Sequence, residues 1–246
     1  MTTAVIVQAR MGSSRLPGKV VQDLAGRPVL DHVLTRCASI RGVDVVVCAM
    51  PKESQSDELE EIALKSGAVT FRGSELDVLS RFVDAAHSVR ADVVIRVTSD
   101  CPLIDPLICA EVLPLRAEQA ADYAANNMPP TFPHGLDCEA MTIDALRLAH
   151  ESAGEAHDRE HVTPWLRRAP QLRRTNLASD DASLARHRWT LDYPEDLAFF
   201  RAVFAALPAN SDGRMADVLT LLRNQPALGQ INAMHAQPHV TSIEKC

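Results

Sequence analysis

The sequence predicts an α/β fold: a Rossmann-like, mostly parallel sheet with helices on both faces and a smaller lobe inserted in its second half. Three observations lead there. Short runs dominated by apolar residues, Ala4–Val7, Val43–Cys48 and Val93–Val97, alternate with longer segments whose apolar residues recur at helical spacing. A strand that is apolar on both faces must be covered on both, and β-α-β-α order does this by placing helices above and below a parallel sheet. The first strand also stops abruptly at polar Gln8 and Arg10. Ligands of such sheets bind outside the carboxyl ends of the strands, so the loops after Val7, Phe71 and Val97 are expected to share one rim.

Taken in order, Ala4–Val7 is the first strand. Val29–Ile40 is helical, with Leu30, Val33, Leu34 and Cys37 on one stripe and Pro28 at a first-turn position, where a missing N–H costs nothing. Val43–Cys48 is rich in β-branched residues and forms the second strand. The helix Ser56–Lys65 opens on a possible N-cap and ends before Gly67, a suitable C′ residue. Val69–Phe71 is a short third strand, Leu76–Val89 a helix and Val93–Val97 the fourth strand. Beyond Pro106 the pattern loosens. Leu107–Gln119 is helical, Asp122–Asn126 a short strand, 128–135 a proline-rich loop and Cys138–Thr142 an alternating strand. A helix follows from Ile143 to about Ser152, and another from His157 to about Trp165. Arg188–Leu191 is expected as a last strand, Glu195–Leu207 and Ala216–Leu222 as closing helices, and Pro226–Cys246 as a loose tail. One domain over 1–246 is expected, with 129–176 as a lobe for substrate or dimerisation.

A chain of 246 residues can bury a full core, and 46% hydrophobic with 23% charged residues is ordinary for a globular protein. The net charge of −7 argues against a nucleic-acid surface, which needs a basic face. No apolar run approaches a membrane span and no leader-like segment opens the chain, so a cytoplasmic protein without a membrane partner is expected. The six cysteines show no C-x-x-C pair or metal-ligand spacing; most read as small buried hydrophobes in a reducing compartment.

The loop after the first strand stands out against this acidic background. Gln8-Ala9-Arg10-Met11-Gly12-Ser13-Ser14-Arg15-Leu16-Pro17-Gly18-Lys19 combines small residues with three cations. Glycine and serine let backbone N–H groups approach phosphate oxygens, and the cations neutralise their charge. The spacing is neither that of a Walker loop nor that of the dinucleotide turn. Composition alone therefore reads as an anion loop or as a surface loop with solvated arginines. The twelve-residue run resembles the nucleotide-binding signature of sugar cytidylyltransferases, most closely the branch similar to spore-coat polysaccharide biosynthesis proteins. The CMP-acylneuraminate and CMP-deoxyoctulosonate synthetases carry a related loop with Pro in place of Gln8, which turns the expectation away from those two sugars.

Further segments carry the same resemblance. Asp100-Cys101-Pro102-Leu103 follows the fourth strand and is similar to a D-x-P-L element whose Asp binds the catalytic magnesium. Mg²⁺ takes one or two carboxylates plus phosphate oxygens and water. By residue type alone such an Asp is more often a loop cap. Asp192-Tyr193-Pro194-Glu195-Asp196 resembles a D-x-P-x-D element whose first Asp is the second metal ligand, although a capped helix start looks the same. Asp105 reads as the cap of the next helix and Asp196 as a first-turn acid. Arg96 either reaches phosphate or pairs with a rim carboxylate. The runs Gly135-Leu136-Asp137-Cys138-Glu139 and Asp158-Arg159-Glu160-His161-Val162-Thr163 resemble the G-L-D-x-E and D-R-E-H-V-T motifs of the spore-coat branch. A solvated helix with i,i+3 ion pairs would give the second run the same look.

The resemblance implies transfer of CMP from CTP to an acidic or otherwise activated sugar, with release of pyrophosphate. Arg10, Lys19, Asp100 and Asp192 would be catalytic, the last two holding Mg²⁺. Gln8, Ala9, Arg10, Gly12, Ser13, Arg15, Lys19, Ser74 and Arg96 would bind the nucleotide. His134, Asp137, Glu139, Arg159 and His161 would face the sugar, and a homodimer would form through the same lobe. The same chemistry with GTP, UTP or ATP, or a non-catalytic nucleotide-sugar binder, are the alternatives.

Overall fold

The computed structural model describes residues 1–52, 56–208 and 211–236. The first half runs β1 (Thr3–Gln8), β2 (Asp23–Leu24), β3 (Arg27–Pro28), α1 (Val29–Ala38), β4 (Val45–Pro51), α2 (Asp57–Lys65), β5 (Val69–Gly73), α3 (Val78–Ser88), β6 (Val93–Thr98) and α4 (Pro106–Glu118). The second half runs β7 (Tyr123–Ala125), β8 (Glu139–Thr142), α5 (Ile143–Ser152), α6 (Ala156–His161), α7 (Pro164–Arg168), β9 (Arg174–Asn176), α8 (Pro194–Ala206) and α9 (Met215–Asn224).

Seven strands form one sheet in the order β5-β4-β1-β6-β8-β7-β9. β8 is antiparallel to both neighbours, and every other pairing in that sheet is parallel. Burial of β1 on both faces follows from its sequence. Val5 and Val7 point into a core with Leu30, Val33 and Leu34 of α1 and Cys109 and Val112 of α4. Ala4 and Ile6 point into the opposite core with Leu79 and Phe82 of α3, Leu146 of α5 and Leu166 of α7. Residues 129–176 contribute β8 and β9 to the sheet, and α5 and α7 lie on the α3 face.

From β1 the chain crosses through α1 to β4 on one side, and later through α3 to β6 on the other. The strand order therefore reverses between β1 and β6, where Gln8 and Thr98 stand in register at the carboxyl ends. Such a switch point opens a crevice for ligand.

Two expectations change. Arg188–Leu191 is extended but joins no strand ladder; it makes a single bridge between His134 and Arg188. Its donors go to separate loops, Trp189 N to His134 O at 2.6 Å and Leu191 N to Asp100 O at 2.9 Å. The stretch after Pro226 is not a loose tail as far as Ala236. It forms two 3₁₀ turns, Pro226–Gln230 and Ala233–His235, and Leu228 and Ile231 pack on a third core built from α8, α9 and Trp189. The remainder, 237–246, lies outside the described residues. Five cysteines are buried free thiols, as their apolar surroundings suggested, whereas Cys246 lies outside the described residues. Among the described residues no helix is long and apolar enough to cross a membrane.

Candidate active site

The loop leaving β1 is closed on itself by Gly18 N donating to Met11 O at 3.2 Å. Gly18 adopts φ +65°, which lets the chain turn into the short 3₁₀ helix Lys19–Val21. Val20 is buried and anchors that helix. The neighbouring Lys19 is thereby held at the crevice, and its ammonium makes three bonds: 2.8 Å to Asp100 Oδ2, 2.9 Å to Asp192 Oδ1 and 2.7 Å to Leu191 O. Two carboxylates 92 residues apart in sequence thus meet at one cation, their bonded oxygens no further apart than about two hydrogen-bond lengths.

Each aspartate is fixed locally. Asp100 follows the end of β6, and Thr98 Oγ1 donates to its Oδ1 at 2.6 Å. The Leu191 N to Asp100 O bond joins the two carrier segments through their main chains. Asp192 Oδ2 accepts from Arg188 Nη2 at 3.1 Å, and Arg15 Nη2 lies 3.4 Å from Oδ1. Burial pushes both carboxyls up, but the Lys19 ammonium beside them outweighs it and both end below the ordinary carboxylate value. Burial likewise pulls Lys19 down, and Asp100 and Asp192 more than restore it, so its pKa is raised. All three groups are therefore charged at neutral pH.

These side chains line a cavity of about 320 Å³ at the switch point. Of the expected nucleotide residues, Gln8, Ala9, Arg10, Gly12, Ser13, Arg15, Lys19 and Arg96 line it, as do Asp100 and Asp192. Ser74 does not. Its hydroxyl accepts from Asp77 N at 3.0 Å and its carbonyl from Arg81 at 2.6 Å, so it serves the turn before α3. Arg96 lines the cavity and takes the carboxylate pairing of its two readings, with Glu139 at 2.5 Å, while donating to Gln8 Oε1 at 3.2 Å.

The expected sugar-facing set is dispersed. Only His161 reaches the cavity. Glu139 is 2% exposed, locked between Arg96, Arg167 and the Tyr123 hydroxyl. Arg159 pairs with Asp77 at 2.6 Å and donates to the carbonyls of His150 and Ala153, tying α6 to α3 and α5. Asp137 accepts from Asn127 Nδ2 and Gly135 N, both at 2.9 Å, and so shapes its own loop. His134 is exposed and makes main-chain contacts to the Arg188 segment. Motif resemblance located the segments but could not tell which side chains turn inward.

Sequence reasoning missed Arg81, Thr98, Ser99 and Glu160, which also line the cavity. Arg81 was signalled by its place in the apolar stripe of α3, where it is only 2% exposed. Gly73 makes room for it, because a Cβ there would meet Arg81 Cγ at 2.7 Å. Five guanidinium or ammonium groups (Arg10, Arg15, Lys19, Arg81, Arg96) face three carboxylates (Asp100, Glu160, Asp192). The cavity is thus a positive site on a chain of net charge −7, suited to a polyanion. Among the described residues no group of three or more acidic, His or Cys side chains gathers as a metal cage. The Asp100–Asp192 pair fits a hard cation that keeps most of its ligands as water and phosphate oxygen, as Mg²⁺ does.

The cytidylyltransferase family model matches residues 4–202. The spore coat polysaccharide biosynthesis protein SpsF of Bacillus subtilis is 33% identical over 228 residues, 90% of this chain and 94% of that one. A cytidylyltransferase structure from Leptospira borgpetersenii superposes with a TM-score of 0.88 at 28% identity, covering 94% of this chain and 97% of that one. A structure of CMP:2-keto-3-deoxy-manno-octonic acid synthetase complexed with CTP superposes with a TM-score of 0.63, covering 83% and 99% of the two chains. At 20% identity that last likeness concerns the fold.

Proposed function

The chain belongs to the cytidylyltransferase family, and from that premise we propose that it transfers CMP from CTP to an acidic or otherwise activated sugar. The observation that carries this reading is the meeting of Lys19 with Asp100 and Asp192 in a cation-rich crevice. A sugar hydroxyl attacks the α-phosphorus in line. The new P–O bond forms as the bond to the α–β bridging oxygen breaks, its electron pair leaves with pyrophosphate, and the hydroxyl proton goes to solvent. Arg10, Arg15 and Lys19 bind the phosphates and offset the charge that grows on the leaving group. On binding, Lys19 exchanges its carboxylate partners for phosphate oxygens. Asp100 and Asp192 hold Mg²⁺, which supplies charge neutralisation and alignment of the phosphate oxygens. Positioning and electrostatics suffice for this transfer, so no nucleophilic side chain is needed. The chain acts as a homodimer joined through residues 129–176; light scattering at the mass of one 26.8 kDa chain would remove that part alone.

The test is pyrophosphate release with each of the four nucleoside triphosphates, Mg²⁺ and a panel of acidic sugars. CTP is expected to support turnover and the others not, and Asp100→Asn to abolish it with the fold intact. Equal turnover with ATP or GTP, or an active Asp100→Asn variant, would overturn the reading.

A further inference from the structure

The turn that presents Asp192 is braced by a segment lying beyond the family-matched residues. Asp196 is fully buried, and its carboxylate accepts five bonds. These come from the main-chain N–H groups of Asp192 (2.9 Å) and Tyr193 (3.0 Å), from Arg188 Nε (3.0 Å) and Nη2 (2.9 Å), and from Asn232 Nδ2 (2.9 Å). Asn232 is 3% exposed, and its amide also donates to Arg188 O at 3.1 Å. A second contact from the same segment is independent of the first. The His235 ring stacks on Tyr193 at 3.8 Å between centroids and 3° between planes, with Nε2 3.0 Å from Glu195 Oε2. Asp196 is thus the hub of the turn, not merely a first-turn acid.

Arg188 Nη2 is shared: it donates to Asp196 at 2.9 Å and to Asp192 at 3.1 Å. How firmly it serves Asp192 depends on how well Asp196 is satisfied by its other donors. Removing the Asn232 donor leaves more unshielded charge on a buried carboxylate, which draws the guanidinium toward Asp196 and away from Asp192. We propose that Asn232 is a positioning residue for the transfer reaction, holding Asp192 in its cation- and phosphate-facing orientation through Asp196 and Arg188. The proposal rests on the reading of Asp192 given above. Asn232 touches no reacting atom. The direct outer partner of Asp192 is Arg188, a kind of contact whose loss typically costs about 10–100-fold in metal affinity or activity; Asn232 stands behind it, so its loss belongs at the low end of that range.

The experiment measures Mn²⁺ binding by water-proton relaxation, which reports the protein-bound ion, in the presence of CTP. The proteins are wild type, Asn232→Ala, Asn232→Ser and Asp192→Asn, each also followed by thermal unfolding and steady-state kinetics. Asn232→Ala is expected to fold with a melting temperature lowered by a few degrees, because a buried hydrogen-bond donor is lost, to bind Mn²⁺ about tenfold more weakly, and to lose kcat with little change in KM for CTP. Asn232→Ser, which restores one donor, should recover part of both losses. A lowered melting temperature with unchanged Mn²⁺ affinity and kcat would mean that Asn232 only packs the fold, and would overturn the proposal. Failure of both variants to fold would do the same. If Asp192→Asn binds Mn²⁺ as tightly as wild type, the reading of Asp192 falls and takes this inference with it. Loss in Asp192→Asn without loss in Asn232→Ala overturns the inference alone.

Discussion

Glu139 shows how a residue that looks like a ligand contact can be structural. It is 2% exposed and shares its carboxylate among Arg96, Arg167 and the buried Tyr123 hydroxyl. Burial opposes its charge, but the two guanidinium groups and the phenol prevail and bring its pKa from an ordinary 4.5 down to about 2. A carboxylate with a depressed folded-state pKa adds stability above its unfolded value and loses it as pH falls through the folded one. Here the window runs from the ordinary 4.5 down to about 2, and the group contributes roughly 3 kcal/mol across it. Urea unfolding of wild type and Glu139→Gln over that range should show a clearly shallower pH dependence in the variant. Identical slopes would contradict the assignment. The sequence exposed Lys19 as a cation of the glycine- and serine-bearing loop after the first strand, and Asp100 and Asp192 as carboxylates that follow apolar runs in motifs resembling those of the family. It could not expose the Glu139 cluster, whose partners Arg96, Arg167 and Tyr123 lie 43, 28 and 16 residues away and come together only through sheet register and α7.

At the scale of elements, the apolar runs decided the outcome. β1, β4 and β6 were legible because a strand buried on both faces has almost no polar residues to confuse with helix periodicity. The segment Arg188–Leu191 carries a similar local signal, yet its partners are the 134–136 turn and Asp100, and no local pattern encodes a loop partner. The Pro226–His235 turns were illegible for a related reason. They are held by a few anchors, Leu228, Ile231 and Asn232, rather than by a periodic face. The 134–136 turn offers a sharp test. Gly135 has φ +107°, and a Cβ there would sit 2.0 Å from Trp189 O, so only glycine lets the two backbones touch. Gly135→Ala combines strained backbone with a main-chain clash and should destabilise by about 3 kcal/mol or more. It should also disturb Asp192, three residues after Trp189. A variant melting with the wild type would show that this contact does not hold the segment.

For the whole molecule, charge separates two descriptions of nucleotide binding. A chain of net charge −7 should repel CTP at long range, and added salt would then strengthen binding by screening the repulsion. The cavity instead sets five cations against three carboxylates, and the local field governs if the triphosphate enters it. Raising the salt from about 0.1 M to 1 M shortens the screening length from about 10 Å to 3 Å and should weaken CTP binding. Strengthened binding would place the nucleotide elsewhere.

Lys19 is where residue, element and charge distribution meet, because the β1 loop, the β6 end and the Asp192 turn all close on its ammonium. The most direct test is calorimetric titration of CTP with Mg²⁺ into wild type and Lys19→Ala, with thermal unfolding as a check that the variant is folded. Loss of a charged hydrogen-bond donor to phosphate should weaken binding by about 1.5–3 kcal/mol, roughly ten- to over a hundredfold. A folded Lys19→Ala protein that binds CTP with wild-type affinity would contradict the assignment of this crevice as the nucleotide site.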